Sequence, residues 1–431
     1  MQIEKKYDVV VAGGGLAGVC AAAAAARTGC SVVLVERYGF MGGMATAGLV
    51  NPLQGHDTVS PDGEVIPVNN GGIYRMILQR MQSLQGIVRY GKHSWLPFNE
   101  EIMKLVLDTL ISEFHIDLLL HSFIFDVEKT GRHIKGIRTA GKSGEILIQG
   151  DYFIDATGDG DLAYYSGCEV KMGREQDGLC QPMTLNFRIG DIDRDRVDRF
   201  LDRAEYDEKV NKLYKELKGL GRIKNPRENV LTFPHLIDSI VHFNSTRVTE
   251  KSGVDVFQLT ESEMEARRQM YELFIFMKEN VRGYKNSQLL MSAPQIGVRE
   301  SRRITGLYEI KENDLLEFRK FEDSIARGRY CIDIHNPSGT GTMIKAIPEG
   351  EYYTIPYRSI VPKDMDNLLI AGRAISTTHE AHSAIRVMPI CASVGESAGI
   401  ASAVAASQKA AFADVPVGLI QKELDRCGGL Y

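Results

Sequence analysis

Residues 13–18 read Gly13-Gly14-Gly15-Leu16-Ala17-Gly18, set between an apolar stretch at 8–12 and an alanine-rich stretch at 19–27 with six alanines in a row. A buried strand, a glycine turn and a helix is the order these stretches predict. A second apolar strand follows at 31–36 and ends on Glu36. The spacing then has a physical reason at each position: Gly13 permits a tight turn, Gly15 lets the backbone approach a pyrophosphate, and Gly18 brings the helix close to the strand. The helix N-terminus faces the anion, and an acid about 20 residues on can accept hydrogen bonds from a ribose.

This βαβ unit starts within the first ten residues, an expectation that leaves no room for a targeting extension. The glycines also divide the apolar run at 9–26, so neither part is long enough for a membrane span. At 431 residues the chain exceeds the usual size of one core, which predicts two interleaved domains. Its charge of -5 offers no basic excess for a phosphate backbone, which argues against a nucleic-acid partner. Seven cysteines without a CxxC pair argue against iron–sulfur or zinc sites and for reduced thiols in a cytoplasmic protein, with no metal.

Further along, 99–114 reads as a helix with Ile102, Leu105, Val106, Leu110 and Ile111 on one face. Strands are expected at 116–120, 123–129, 134–139 and 145–154, long charged helices at 193–217 and 261–280, a buried strand at 368–371, and a small-residue helix at 391–406.

The glycine unit alone leaves FAD and NAD both open. Resemblance decides between them. Gly39 to Thr46, which includes Gly42, Gly43, Met44, Ala45 and Thr46, resembles the segment beside the flavin in glutathione-reductase-like flavoproteins. Ala156-Thr157-Gly158 resembles their second, strand-ending motif, and Ala371-Gly372-Arg373 their late motif, where many relatives have Gly-Asp. The blocks around Arg299 and Arg386 extend the resemblance over nearly the whole chain, to the FAD-dependent oxidoreductase family that includes the heterodisulfide reductase flavoprotein subunit. The iron–sulfur cysteine motifs of that subunit are missing, as is a CxxxxC after Glu36. A thiol–disulfide mechanism is therefore disfavoured.

The resemblance implies an α/β fold: a three-layer, Rossmann-like FAD-binding domain from 1–50, 98–170 and 350–431, with an inserted α+β substrate domain from 51–97 and 171–349. It implies non-covalent FAD held by Gly13, Gly15, Leu16, Ala17, Gly18, Glu36, Arg37, Gly42 to Thr46, Ala156 to Gly158, Gly372, Arg373, Met388, Ser393 and Ala398. The small residues of the helix at 391–406 are expected to let it approach the flavin ring. Catalytic candidates are His382 as general base, Arg386 as holder of an anionic small-molecule substrate, and His379, Arg299 and His335. Of the charge run Arg299, Glu300, Arg302 and Arg303, alternation sends one arginine to the site and leaves the rest to pair elsewhere. The expected reaction is hydride removal from a small organic substrate to flavin N5, with reoxidation by oxygen, a quinone or a partner protein. Two alternatives are an electron-transfer subunit serving an iron–sulfur partner, which an enclosed pocket would count against, and an FAD-dependent tRNA-modifying protein, which a continuous basic surface would favour.

Overall fold

The computed structural model describes residues 2–60, 62–69, 71–88, 95–193, 197 and 203–431. Its largest sheet has seven strands, in the order Asp117–Leu119, Val32–Val35, Gln2–Ala12, Gly144–Asp155, His133–Gly141 and Phe123–Thr130. The seventh, Leu368–Ile370, pairs in parallel with the C-terminal half of Gly144–Asp155, matching Leu369 to Ile154. Val9, Val10 and Val11 pair in parallel with Val32, Val33 and Leu34 on one side and with Tyr152, Phe153 and Ile154 on the other. Strands buried on both faces need apolar residues at every position, and the near-continuous valines supply them.

Helix Leu16–Arg27 follows the glycine turn, and its five alanines from Ala21 to Ala25 are fully buried. They have to be small because Met388–Gln408 lies directly against them. A Cβ added at Gly395 would come within 2.1 Å of the Ala17 carbonyl oxygen, and one at Gly399 within 2.1 Å of that of Ala21. The small residues expected to admit a flavin ring thus admit the helix Leu16–Arg27 instead. Ala398, on that same helix, is fully buried. Met388–Gln408 is long and apolar enough to cross a membrane, yet here most of it is buried inside the protein.

Helix Glu100–Glu113 buries Met103, Val106, Leu107, Leu110 and Ile111. Leu105, expected on that face, is 56% exposed. The helix turns so that 103, 107 and 110 share the buried stripe, which rotates 105 to the solvent side.

A second core is built from residues 183–298 with Leu49. It holds an antiparallel sheet ordered Thr232–Pro234, Val241–Phe243, Phe187–Gly190, Gln288–Ser292, and helices Arg203–Gly219 and Val256–Asn280. The early part of the helix expected at 193–217 includes residues 194–196 and 198–202, which lie outside the described residues. Segments expected in the insertion belong elsewhere. Helix Gly72–Ser83 and strand Ser324–Gly328, which pairs with Tyr353–Pro356 of the expected FAD-binding segment, contribute Ile73, Ile77 and Ile325 to the first core. The apolar helix Met388–Gln408 requires that cover, and Ser397 Oγ donates to the Ile325 carbonyl at 2.6 Å. A buried ion pair between Glu100 and Arg188 joins the two cores, with Arg188 donating to Glu100 Oε2 at 2.6 Å.

Candidate functional site

A cleft of about 470 Å³ runs from the glycine turn to the wall made by the second core. At its nucleotide end Gly13 has φ +95°, a left-handed value that favours glycine, and an added Cβ would sit 2.5 Å from the Ala156 carbonyl oxygen. At Gly18 the same Cβ would meet the Gly13 oxygen at 1.8 Å. Gly18 therefore packs helix against turn and does not line the cleft. Gly15 differs, because its nearest neighbour for a Cβ is Gly43 Cα at 3.8 Å. It borders open space in the cleft.

Glu36 is buried, and its carboxylate accepts the Gly14 N–H at 2.6 Å and the Tyr38 N–H at 2.9 Å. Burial raises its pKa, and these hydrogen bonds with the Arg37 charge hold it partly back. Gly42, Gly43 and Met44 line the opposite lip. Ala45 and Thr46 do not reach it: Ala45 is buried, and Thr46 Oγ1 donates to the Met41 carbonyl at 2.7 Å, which fastens the loop. Asp155 accepts from Thr157 N and Oγ1 and from Ala163 N, so it shapes the turn that presents Ala156, Thr157 and Gly158. Burial pushes its carboxyl up to about 6. Arg373 is tied to Asp159 at 2.5 Å.

At the other end the sequence candidates separate. Arg299, His335 and Arg386 line the cleft. His382 does not; it is buried, and neither ring nitrogen has a hydrogen-bond partner among the described residues. Burial and the charges of Arg303, Arg386 and Arg373 push it well below the ordinary histidine range. An imidazole so enclosed has no route to a substrate proton, which removes the expected general base. His379 turns away from the cleft as well, its Nδ1 2.9 Å from Glu300. Glu300 also pairs with Arg303, and Arg302 pairs with Asp161 at 2.8 Å. Of that charge run only Arg299 reaches the cleft; it precedes the strand Arg302–Ile304, so the chain's path before that strand places it there and strand alternation does not. Ser393 Oγ donates to its own helix, to the Pro389 carbonyl at 3.1 Å, and is also absent from the cleft wall. Met388 lines it, together with Val387 and Pro389 at the N-terminus of the long helix.

His335 is held on both sides. An Arg247 N–H lies 3.1 Å from Nδ1, which makes Nδ1 an acceptor and leaves Nε2–H toward Asp333 at 3.5 Å. Burial, with the Arg299 charge, pushes its pKa down to about 3. His335 is therefore neutral and positions Asp333. Burial would raise the Asp333 carboxyl, but the His335 hydrogen bond and the Arg386 and Arg299 charges outweigh it and keep it ionised. Arg299 donates to the Pro182 carbonyl at 2.8 Å and to Thr184 Oγ1, and has no carboxylate partner among the described residues. The guanidinium of Arg386 makes no hydrogen bond or ion pair among them.

Asp333, Tyr330, Arg227 and Glu228 line the cleft without having been singled out in the sequence. One signal existed for Asp333: two residues before His335 on strand Ile332–His335, it shares that face. For Arg227 and Glu228 there was none, because they follow no regular element.

The nucleotide end fits FAD. Backbone at Gly13 and Gly15, the uncapped start of helix Leu16–Arg27 and the Glu36 carboxylate lie on one continuous wall, as a dinucleotide requires. No protein of curated function matches the sequence. Among solved structures, a geranylgeranyl bacteriochlorophyll reductase-like protein from Thermoplasma acidophilum is similar over 99% of this chain and 85% of its own, with 13% identity and a TM-score of 0.50. The OxyS anhydrotetracycline hydroxylase from Streptomyces rimosus aligns with 98% of this chain and 65% of its own, at 13% identity and a TM-score of 0.48. The first of these shows a shared fold. The family described as FAD dependent oxidoreductase matches residues 8–424, so the chain belongs to that family and FAD is its cofactor.

Proposed function

We propose that this enzyme oxidises a small organic anion, which enters the cleft beside the N-terminus of helix Met388–Gln408. Arg386 carries this reading, as a guanidinium on the cleft wall with no hydrogen-bond or ion-pair partner among the described residues. Its charge persists at any working pH, and its planar fork can hold a carboxylate in a fixed orientation. Bound FAD supplies the two-electron acceptor for hydride transfer. The second core closes the far wall through Thr184, Asn186 and Asn244, which restricts water around the reacting atoms. Such a walled pocket supports substrate chemistry over an electron-transfer subunit that only docks a partner.

FAD is held without a covalent bond in this reading. Cys391 is the cysteine that lines the cleft, and burial pushes its thiol up to about 12, which leaves little thiolate for attack on a flavin. The test is a screen of small carboxylates and amino acids for anaerobic bleaching of the yellow protein. Arg386→Met should retain FAD yet slow that bleaching. Bleaching as fast as in the unaltered protein, or loss of FAD, would remove Arg386 from the substrate site.

A further inference from the structure

The substrate end of the cleft is not electrically balanced. Arg227, Arg299 and Arg386 line it, with Arg247 directly behind, against the two carboxylates of Glu228 and Asp333. The structure assigns this end to a dianion with two separate acidic groups, a small dicarboxylate. This rests on the reading of the cleft as a substrate pocket.

One carboxylate is already committed. Glu228 pairs with Arg247 at 3.1 Å. Asp333 is bonded to His335 and accepts from the Tyr330 hydroxyl at 3.3 Å, and it has no ion pair with an arginine among the described residues. Arg227 Nε donates to Asn229, a neutral acceptor, at 3.0 Å. Burial and the Arg247 charge push Arg227 down to about 10, and burial with the Arg386 and Arg227 charges pushes Arg299 down as well. Guanidiniums keep their protons, so crowding of this kind represents charge that an incoming anion relieves. His335 cannot supply an opposing charge in either protonation state, and its neutrality leaves the excess at two.

Two walls carry that excess. Arg299 is immobilised by the Pro182 carbonyl, Thr184 and Asn244 on the second-core side. Arg386 stands at the C-cap of the short helix His379–Ile385, in the segment leading to helix Met388–Gln408. A monocarboxylate satisfies one wall. A ligand with an acid at each end satisfies both, and Arg299, fixed in advance, loses little freedom on binding it.

The experiment is calorimetric titration of the FAD-loaded protein with chain-matched pairs, butyrate against succinate and lactate against malate, with inorganic phosphate as a compact dianion. Succinate and malate should each bind at least tenfold tighter than their monoanionic counterparts. Arg386→Gln, with FAD content unchanged, should erase most of that ratio, and raised salt should weaken the dicarboxylates more than the monocarboxylates. Equal binding of both members of each pair would overturn the assignment. Phosphate binding tighter than succinate would overturn the claim of two separate acidic groups. Bleaching of the flavin by a monocarboxylate or amino acid alongside either result would leave the proposed reaction standing, whereas failure of every anion to bind or bleach would remove that reading as well.

Discussion

The two ends of the cleft are built by different means. At the nucleotide end the backbone does the work: Gly13 and Gly18 stand where no Cβ fits, and the Glu36 side chain is held by backbone N–H groups. At the substrate end side chains from residues 227, 247, 299, 333, 335 and 386 converge, with His335 linking Arg247 to Asp333. A backbone site depends on local spacing and tolerates almost no substitution. A side-chain site assembled from distant segments can change its ligand while the fold persists, because each arginine is replaceable without moving the chain.

The sharpest way to break this contrast is within the glycines themselves. Gly18→Val places atoms 1.8 Å from the Gly13 oxygen, and no folded protein should be recovered, as judged by soluble yield and circular dichroism. At Gly15 an added Cβ meets nothing closer than 3.8 Å, so Gly15→Val should fold, but colourless, because its side chain occupies the space the pyrophosphate needs. A yellow Gly15→Val protein would show that the turn does not approach the cofactor.

Next in size is the joint between the two cores. Arg188→Met strands the buried Glu100 carboxylate, and loss of one partner from such a pair costs about 3–5 kcal/mol. Denaturant unfolding should register that loss in the midpoint. If the midpoint stayed put, the pair would be open to water in solution and the cores would be coupled through their apolar contacts alone.

The two ends also respond to acid with opposite sign. Burial raises the carboxyls of Glu36 and Asp155, the latter to about 6, so the folded state takes up protons before the unfolded chain does, and this end gains stability as pH falls toward 4. Burial lowers His335, to about 3, and holds His242 well below the ordinary histidine range, so the unfolded chain takes up protons first, below about 6.5. Their contribution is complete above pH 6.5 and is lost as pH falls, by about 1.4 kcal/mol per unit for each histidine. His335→Asn should flatten the fall of melting temperature between pH 6.5 and 4.5, and Asp155→Asn should steepen it. The same slope in all three proteins would place the acid response elsewhere.

Legibility in the sequence follows the same division. The turn, its flanking strands and Glu36 were legible because local backbone geometry imposes their spacing. Which arginine of the run 299–303 faces the cleft was not legible, because Arg299 precedes the strand Arg302–Ile304 and strand alternation does not govern it. His382 misled because an unpaired histidine near the expected flavin looks the same in sequence whether it opens on a cleft or is sealed behind one. Arg227 and Arg247 gave no sign, since nothing local distinguishes them from surface arginines. The extent of the second core was not legible because cover for an apolar helix can come from any segment with a free apolar face, and residues 72–83 and 324–328 of the expected insertion supplied it.

The smallest effect tests that distinction on a single helix. Leu105 and Leu107 both sit on Glu100–Glu113, two residues apart, in a stretch where hydrophobic periodicity alone favoured the first. Leu107 is fully buried and Leu105 is 56% exposed. Leu107→Ala should cost about 2–5 kcal/mol, through lost transfer energy and the cavity left behind. Leu105→Ala should change stability by no more than about 0.5 kcal/mol, because alanine keeps helix propensity while little buried surface is lost. Equilibrium denaturation of the two variants decides the matter. A cost of more than about 2 kcal/mol at Leu105 would mean that this face is covered in solution by another surface, and the stripe read from the sequence would then describe an interface instead of the core.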